Sequence, residues 1–124
     1  MLIEEQLTET IIGAAIEVHR ELGPGLLESA YEECFCHELH FRGLNFQRQV
    51  DLPIAYKGLK LDCGYRLDVV VENSVVIELK AIEQIRPIHH AQLLTYLRLS
   101  GRTVGLLINF NVAVLKNGIV RRVL

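Results

Sequence analysis

Two short runs rich in valine and isoleucine, separated by Glu72-Asn73-Ser74, constrain this chain more than any other part of it. In Tyr65–Lys80 (YRLDVVVENSVVIELK) β-branched residues favour strand and the polar tripeptide marks a turn, so the stretch reads as a β-hairpin. Val69, Val71, Val75, Ile77 and Leu79 form one apolar set, while Asp68, Glu78 and Lys80 occupy the other set of positions. Glu78 and Lys80 are two apart and share a face of one strand. Asp68 joins them only in one register. A three-residue loop at 72–74 pairs Val71 with Val75 and sets Asp68 opposite Glu78. A two-residue loop at Glu72-Asn73 would shift the register by one and send Asp68 to the opposite face. An unpaired charge amid apolar side chains is costly, so the first register is expected. It gathers two carboxylates and an ammonium on a largely apolar sheet.

The flanking segments supply helices. Ile3, Leu7, Ile11, Ala14 or Ala15, Val18 and Leu22 recur at three- and four-residue steps, predicting an amphipathic helix over 3–22. Gly23-Pro24-Gly25 stops it. A second helix is expected from about Leu26 to Arg42, closed by Gly43, with Leu27, Ala30, Tyr31, Cys34, Phe35, Glu38 and Leu39 on or near one side. The short loop makes the pair an αα-hairpin. From Asn45 the period changes to two: Phe46, Arg48, Val50 and Leu52 alternate with Gln47, Gln49 and Asp51, until Pro53 ends the strand or confines it to an edge. Tyr56-Lys57-Gly58 is a turn, and Leu59–Cys63 a short strand feeding the hairpin. Pro87 opens a helix to Ser100, capped by Gly101, and TVGLLIN (Thr103–Asn109) reads as a strand buried on both faces. The connection is long enough for a right-handed parallel crossover. Val112–Leu115 and Ile119–Val123, around Asn117-Gly118, predict a terminal hairpin. The order implies one α/β domain over residues 1–124, with a mixed sheet covered by helices on both faces.

Composition narrows the function classes. At 124 residues, 50% hydrophobic and 23% charged, the chain can bury a real core without staples. A formal charge of -2 advertises no bulk affinity for nucleic acid, so a basic footprint must be local. Cys34, Cys36 and Cys63 are odd in number and lack zinc-like spacing, which favours reduced, partly buried thiols. The acidic and polar N-terminal residues do not form a signal peptide, and no apolar run is long enough to span a bilayer. A cytoplasmic location without membrane attachment is expected.

Several constellations carry chemistry. Asp68 and Glu78, brought together, would bind a hard divalent cation such as Mg²⁺, and Lys80 beside them could orient or deprotonate a water or balance developing charge. The bland alternative is a surface salt bridge. Gln92 and Tyr96, four apart, share a helix face and could hydrogen-bond a phosphate or a water, or simply edge an amphipathic helix. In GLLESAY, Gly25 permits a tight helix entry, and Glu28 and Tyr31 lie on one face. Glu28 is either a third site carboxylate or a helix-start acid favoured by the dipole. His89-His90 could be metal ligands or a phosphate contact, of which at most one should matter, whereas His19, His37 and His40 are expected at surface or boundary positions. Arg42, Arg48, Arg66, Arg86, Arg98, Arg121 and Arg122 could line a phosphate track, although sequence cannot gather them.

These residues resemble a known family. GPGLLESAYE (residues 23–32), carrying Gly25, Glu28 and Tyr31, is similar to the signature of the GxxExxY proteins. The resemblance extends through the Tyr65–Lys80 hairpin, HHAQLLTYL and LLINF, nearly the whole chain. That family is placed in the PD-(D/E)xK nuclease superfamily, which implies a restriction-endonuclease-like α/β/α sandwich around a mixed central sheet. Asp68 matches the first acid and Glu78 and Lys80 the E-x-K, with Leu67 where the superfamily pattern has proline. Gln92 and Tyr96 resemble the Q-x-x-x-Y of RecB-like nucleases, and Glu28 matches an acid some members place on an early helix.

The resemblance implies Mg²⁺- or Mn²⁺-dependent hydrolysis of phosphodiester bonds, with DNA ahead of RNA as substrate. Asp68, Glu78 and Glu28 are the expected metal ligands, and Lys80, Gln92 and Tyr96 complete the catalytic set. A homodimer is one way for so small a domain to grip a duplex. The rival expectation is a catalytically silent nucleic-acid-binding or protein-interaction module on the same fold.

Overall fold

The valine-rich hairpin lies at the centre of the sheet. The computed structural model describes residues 4–124. Its strands are β1 (Phe46–Asp51), β2 (Ile54–Tyr56), β3 (Leu59–Leu61), β4 (Arg66–Val71), β5 (Val75–Lys80), β6 (Val104–Asn109) and β7 (Ile119–Val123). Five of them form one sheet in the order β1-β4-β5-β6-β7, and β2 and β3 make a separate two-stranded ribbon. β5 and β6 run parallel and every other neighbouring pair in the large sheet is antiparallel, so the sheet is mixed.

Helices cover both faces. α1 (Glu5–Leu22) and α2 (Glu28–Phe41) pack on one side, where Ile11, Ala14, Ala15, Val18, Phe35 and Leu39 meet Val69, Val71, Val75, Ile77 and Leu79. α3 (Pro87–Ser100) covers the other side, where Leu93 and Leu97 meet Val70, Val76 and Leu107. This is the α/β/α sandwich expected, and α3 is the parallel crossover between β5 and β6. Central strands buried on both faces read as nearly continuous apolar runs, broken here by Asp68 and Glu78; each fully buried Val, Leu or Ile contributes roughly 1.5–3 kcal/mol. Pro87 stands in the first turn of α3, and Gly101 ends it in a left-handed conformation. β1 ends before Pro53 and is an edge strand.

Some local expectations are corrected. Ile3 lies outside the described residues, and the α1 stripe buries Thr8 and His19 but leaves Leu22 exposed. α2 starts two residues later than expected, with Leu27 exposed ahead of it. β3 pairs with β2 and does not feed the hairpin directly. The terminal hairpin is absent: Leu115–Gly118 is a 3-10 turn, and β7 pairs with β6. Gly118 is glycine for a steric reason, since a Cβ there would lie 2.3 Å from the Asn109 carbonyl oxygen. Its position is set by close approach to the end of β6. The cysteines are free; Cys34 and Cys63 are exposed, and burial pushes the Cys36 thiol up to about 12, which leaves it inert.

Candidate active site

The hairpin adopts the register with a loop at 72–74. Val71 pairs with Val75, Val70 with Val76 and Val69 with Ile77. The same count sets Asp68 across from Glu78, but there side chains replace the backbone ladder. The Asp68 N–H donates to Glu78 Oε2 at 2.9 Å, and the Leu79 N–H donates to Asp68 Oδ2 at 2.8 Å. Each carboxyl group is thus fixed by an amide of the opposing strand.

Burial dominates the electrostatics. Glu78 is 4% exposed. Desolvation first, then the Asp68 carboxylate, push its carboxyl up to about 8, against the pull of the Asp68 amide and Lys80. Asp68 is also raised, by burial first and with the Glu32 carboxylate adding to it; the Leu79 amide, Lys80 and a hydrogen bond from Gln49 oppose the shift. Lys80 is half-buried at the end of β5. Ion pairs among the described residues are made by Arg20, Arg42, Arg48 and Arg66, and Lys80 belongs to none of them. Beside Lys80, the buried Asn109 holds the following loop, accepting from the Ile82 N–H at 3.1 Å and donating to the Ile82 carbonyl at 3.0 Å.

The early glycine-rich motif has a structural logic. Tyr31 is fully buried and stacks on Phe110 with ring centroids 4.5 Å apart. Its hydroxyl donates to the Gly23 carbonyl at 2.6 Å and accepts from the Leu26 N–H at 3.1 Å, closing the loop that starts α2. Gly25 sits at φ 99, a conformation strained for any L side chain. Together they aim the first turn of α2, and so Glu28, at the carboxylate pair. Glu28 is exposed at the rim; partial desolvation and then Asp68 raise its carboxyl, while Lys80 lowers it. From α3, Gln92 Nε2 donates to the Tyr96 hydroxyl at 3.1 Å, and Tyr96 feels the charge of Glu78.

Two residues at the site escape sequence reasoning. Glu32 lies one turn beyond Glu28 on α2, nearly buried, and accepts from Gln49 Nε2 at 2.8 Å and Arg48 Nη2 at 2.9 Å. Gln49 is the β1 residue that falls opposite Asp68, between the pairs Arg48–Val69 and Val50–Leu67, and its backbone is left-handed at φ 50. Both strands change face there. Phe46 and Val69 pack towards α1 and α2, whereas Val50 and Leu67 pack towards α3, although each pair is separated by an even number of residues. The i,i+4 spacing of Glu28 and Glu32 was a readable signal. The reversal at Gln49 had none, because alternation alone assigns one side throughout.

The comparison with protein families matches residues 5–123 to the PD-(D/E)XK nuclease superfamily. The chain belongs to this superfamily. No curated protein and no solved structure matches it significantly. Superfamily membership brings a nuclease-type fold, a nucleic-acid class of substrate and a general use of divalent metals such as Mg²⁺. No helix of the described residues is long and apolar enough to cross a membrane.

As the side chains stand, no three His, Cys, Asp or Glu groups among the described residues converge as a ready-made metal cage. The donor chemistry nevertheless fits a superfamily cation. Buried Glu78 and half-buried Asp68 offer hard oxygen ligands, and Mg²⁺ typically takes one or two carboxylates and keeps several waters. Other candidate ligands are engaged elsewhere. His89 Nδ1 accepts from the Arg86 N–H at 2.8 Å, and His90 Nδ1 meets Arg122 Nη2 at 2.8 Å. His19, expected near the surface, is buried with Nε2 2.7 Å from the Val112 carbonyl. Arg42, Arg48 and Arg66 pair with Glu38, Glu32 and Glu33, and Asp51, so they form no free phosphate track.

Proposed function

We propose that this chain is a divalent-cation-dependent nuclease that hydrolyses phosphodiester bonds, with DNA as its substrate. One observation carries the reading: a carboxylate pair set into the sheet, buried Glu78 and half-buried Asp68, adjoins a lysine that is in no ion pair among the described residues, in a chain of a nuclease superfamily. Asp68 and Glu78 would hold Mg²⁺ or Mn²⁺, with Glu28 as a third carboxylate at the rim. The bound cation supplies Lewis acidity and neutralises charge on a phosphate oxygen. Lys80 positions or deprotonates the attacking water, or balances charge that develops on the phosphate. Gln92 and Tyr96 offer a phosphate oxygen two hydrogen-bonding groups. Gly25, Glu28 and Tyr31 support a place among the GxxExxY proteins.

DNA cleavage assayed with Mg²⁺ or Mn²⁺, beside a calorimetric Mn²⁺ titration, tests this. Asp68→Ala should abolish cleavage, Lys80→Ala should lower it by ~10²–10⁴-fold, and Glu78→Ala should abolish the binding heat. Absence of metal binding, together with variants that behave like wild type on DNA and RNA, would sink the reading. A silent binding module on the same fold is favoured by one feature: each carboxylate of the pair already has an amide partner. That reading predicts nucleic-acid binding with no Mn²⁺ heat.

A further inference from the structure

A groove of about 310 Å³ runs beside the carboxylates, between α3 and the chain that enters β4. Ile54, Tyr65, Ile88, Gln92, Tyr96 and Leu99 line it, and no lining residue is charged. Gln92 and Tyr96 therefore belong to both the groove and the proposed phosphate site, which makes the two continuous. Tyr65 is 44% exposed and Ile88 68% exposed, so the groove presents apolar surface to solvent. The Tyr65 and Tyr96 rings meet edge to face, centroids 6.4 Å apart and planes at 62°, so their contact leaves flat ring surface uncovered. The Leu52 N–H donates to the Tyr65 carbonyl at 2.9 Å, fixing the backbone that carries this ring.

We infer that this groove takes an unpaired nucleobase of the substrate, stacked on Tyr65, and that the chain prefers single-stranded nucleic acid to continuous duplex. The inference rests on the nucleic-acid reading of the adjoining carboxylates and deepens it. A nucleotide joins a flat, uncharged base to an anionic phosphate within a few ångströms. The molecule offers the matching arrangement: uncharged walls with an exposed aromatic ring, and a shared residue, Tyr96, that senses the charge of Glu78 and Asp68. Beyond Gln92 and Tyr96 the groove has no charge to hold a phosphate, whereas every base has a π-face that stacks on an aromatic side chain. In a duplex those faces are stacked on one another inside the helix, so only an unpaired base can enter.

Fluorescence anisotropy in metal-free buffer, where hydrolysis cannot interfere, decides the matter with a labelled oligothymidylate and a blunt duplex. Wild type should bind the single strand more tightly. Tyr65→Ala should weaken single-strand binding by ~tenfold and leave duplex binding unchanged, while Tyr65→Phe keeps single-strand affinity. Unchanged melting curves for both variants separate this loss from misfolding. Single-strand affinity that ignores Tyr65→Ala, or a loss shared equally by duplex, overturns the inference. So does a change of sedimentation coefficient in Tyr65→Ala with binding intact, which would make the groove a contact between copies of the chain. Tyr65-dependent binding without metal-dependent cleavage would sink the nuclease reading alone. Duplex cleavage with Tyr65-independent binding would sink this inference alone.

Discussion

Glu78 is 4% exposed and faces Asp68 across the hairpin, and its carboxyl is held up to about 8, chiefly by burial. The folded chain therefore binds a proton that an unfolded glutamate, with its usual value of 4.5, releases. Between these values the native state holds more protons than the unfolded state, so stability falls as pH rises. Without metal, the melting temperature should drop between about pH 5 and pH 8, a loss of up to a few kcal/mol. Glu78→Gln keeps an acceptor for the Asp68 amide and should flatten that slope in a pH series of thermal melts. A divalent cation prefers the ionised form, so Mn²⁺ affinity should rise over the same interval. Lys80 has a different signature. It belongs to no ion pair among the described residues, and Lys80→Ala should lower single-turnover cleavage by ~10²–10⁴-fold while shifting stability by less than about 1 kcal/mol.

At the level of elements, glycine and glutamine positions mark where packing overrides local pattern. A Cβ on Gly118 would lie 2.3 Å from the Asn109 carbonyl oxygen, and that backbone atom cannot rotate away. Gly118→Ala should destabilise the fold by about 1–3 kcal/mol or more in urea titrations. Gln49 tests a different strain. A β-branched side chain at φ 50 is disfavoured, so Gln49→Val should be less stable than Gln49→Gly by about 1–2 kcal/mol. These two positions also show what sequence could and could not convey. The β4–β5 register was legible because burying a charge among Val69, Val71 and Ile77 is costly, and the 72–74 loop avoids it. The α3 crossover was legible because Pro87 and Gly101 bracket its helix. Asn117-Gly118 misled, since the same dipeptide serves a hairpin turn or a close backbone approach, and only the end of β6 distinguishes them. Gln49 stayed hidden because its part in the site depends on β1 pairing with β4, a contact between distant segments that no local period records, whereas Glu32 could have been read from its spacing to Glu28 on α2. The placement of Glu28 was half legible: a helix near it was expected, but its start was put two residues early, and the Tyr31 hydroxyl that closes the Gly23 loop was not foreseen.

For the whole molecule, the proposed site joins side chains from α2, β4, β5 and α3, with Gln49 of β1 in support. Mn²⁺ bound only by the folded chain should stabilise it by ~2.7 kcal/mol at a hundred times the dissociation constant. Scanning calorimetry should show that gain in wild type and its loss in Asp68→Ala. The parallel pairing of β5 with β6 has a consequence in time as well as in space. β5 is complete at Lys80, yet its second neighbour begins only at Val104, after the whole of α3. At a synthesis rate of ~5–20 residues per second, the valine-rich hairpin waits on the ribosome for a few seconds with one strand edge unpaired. Gln92 and Tyr96 are meanwhile still to be made or docked, so the proposed site stays incomplete while the chain is being translated. The interval that leaves it incomplete is also the one in which the β5 edge has no strand beside it, and there a chaperone should have the most to gain by holding the chain.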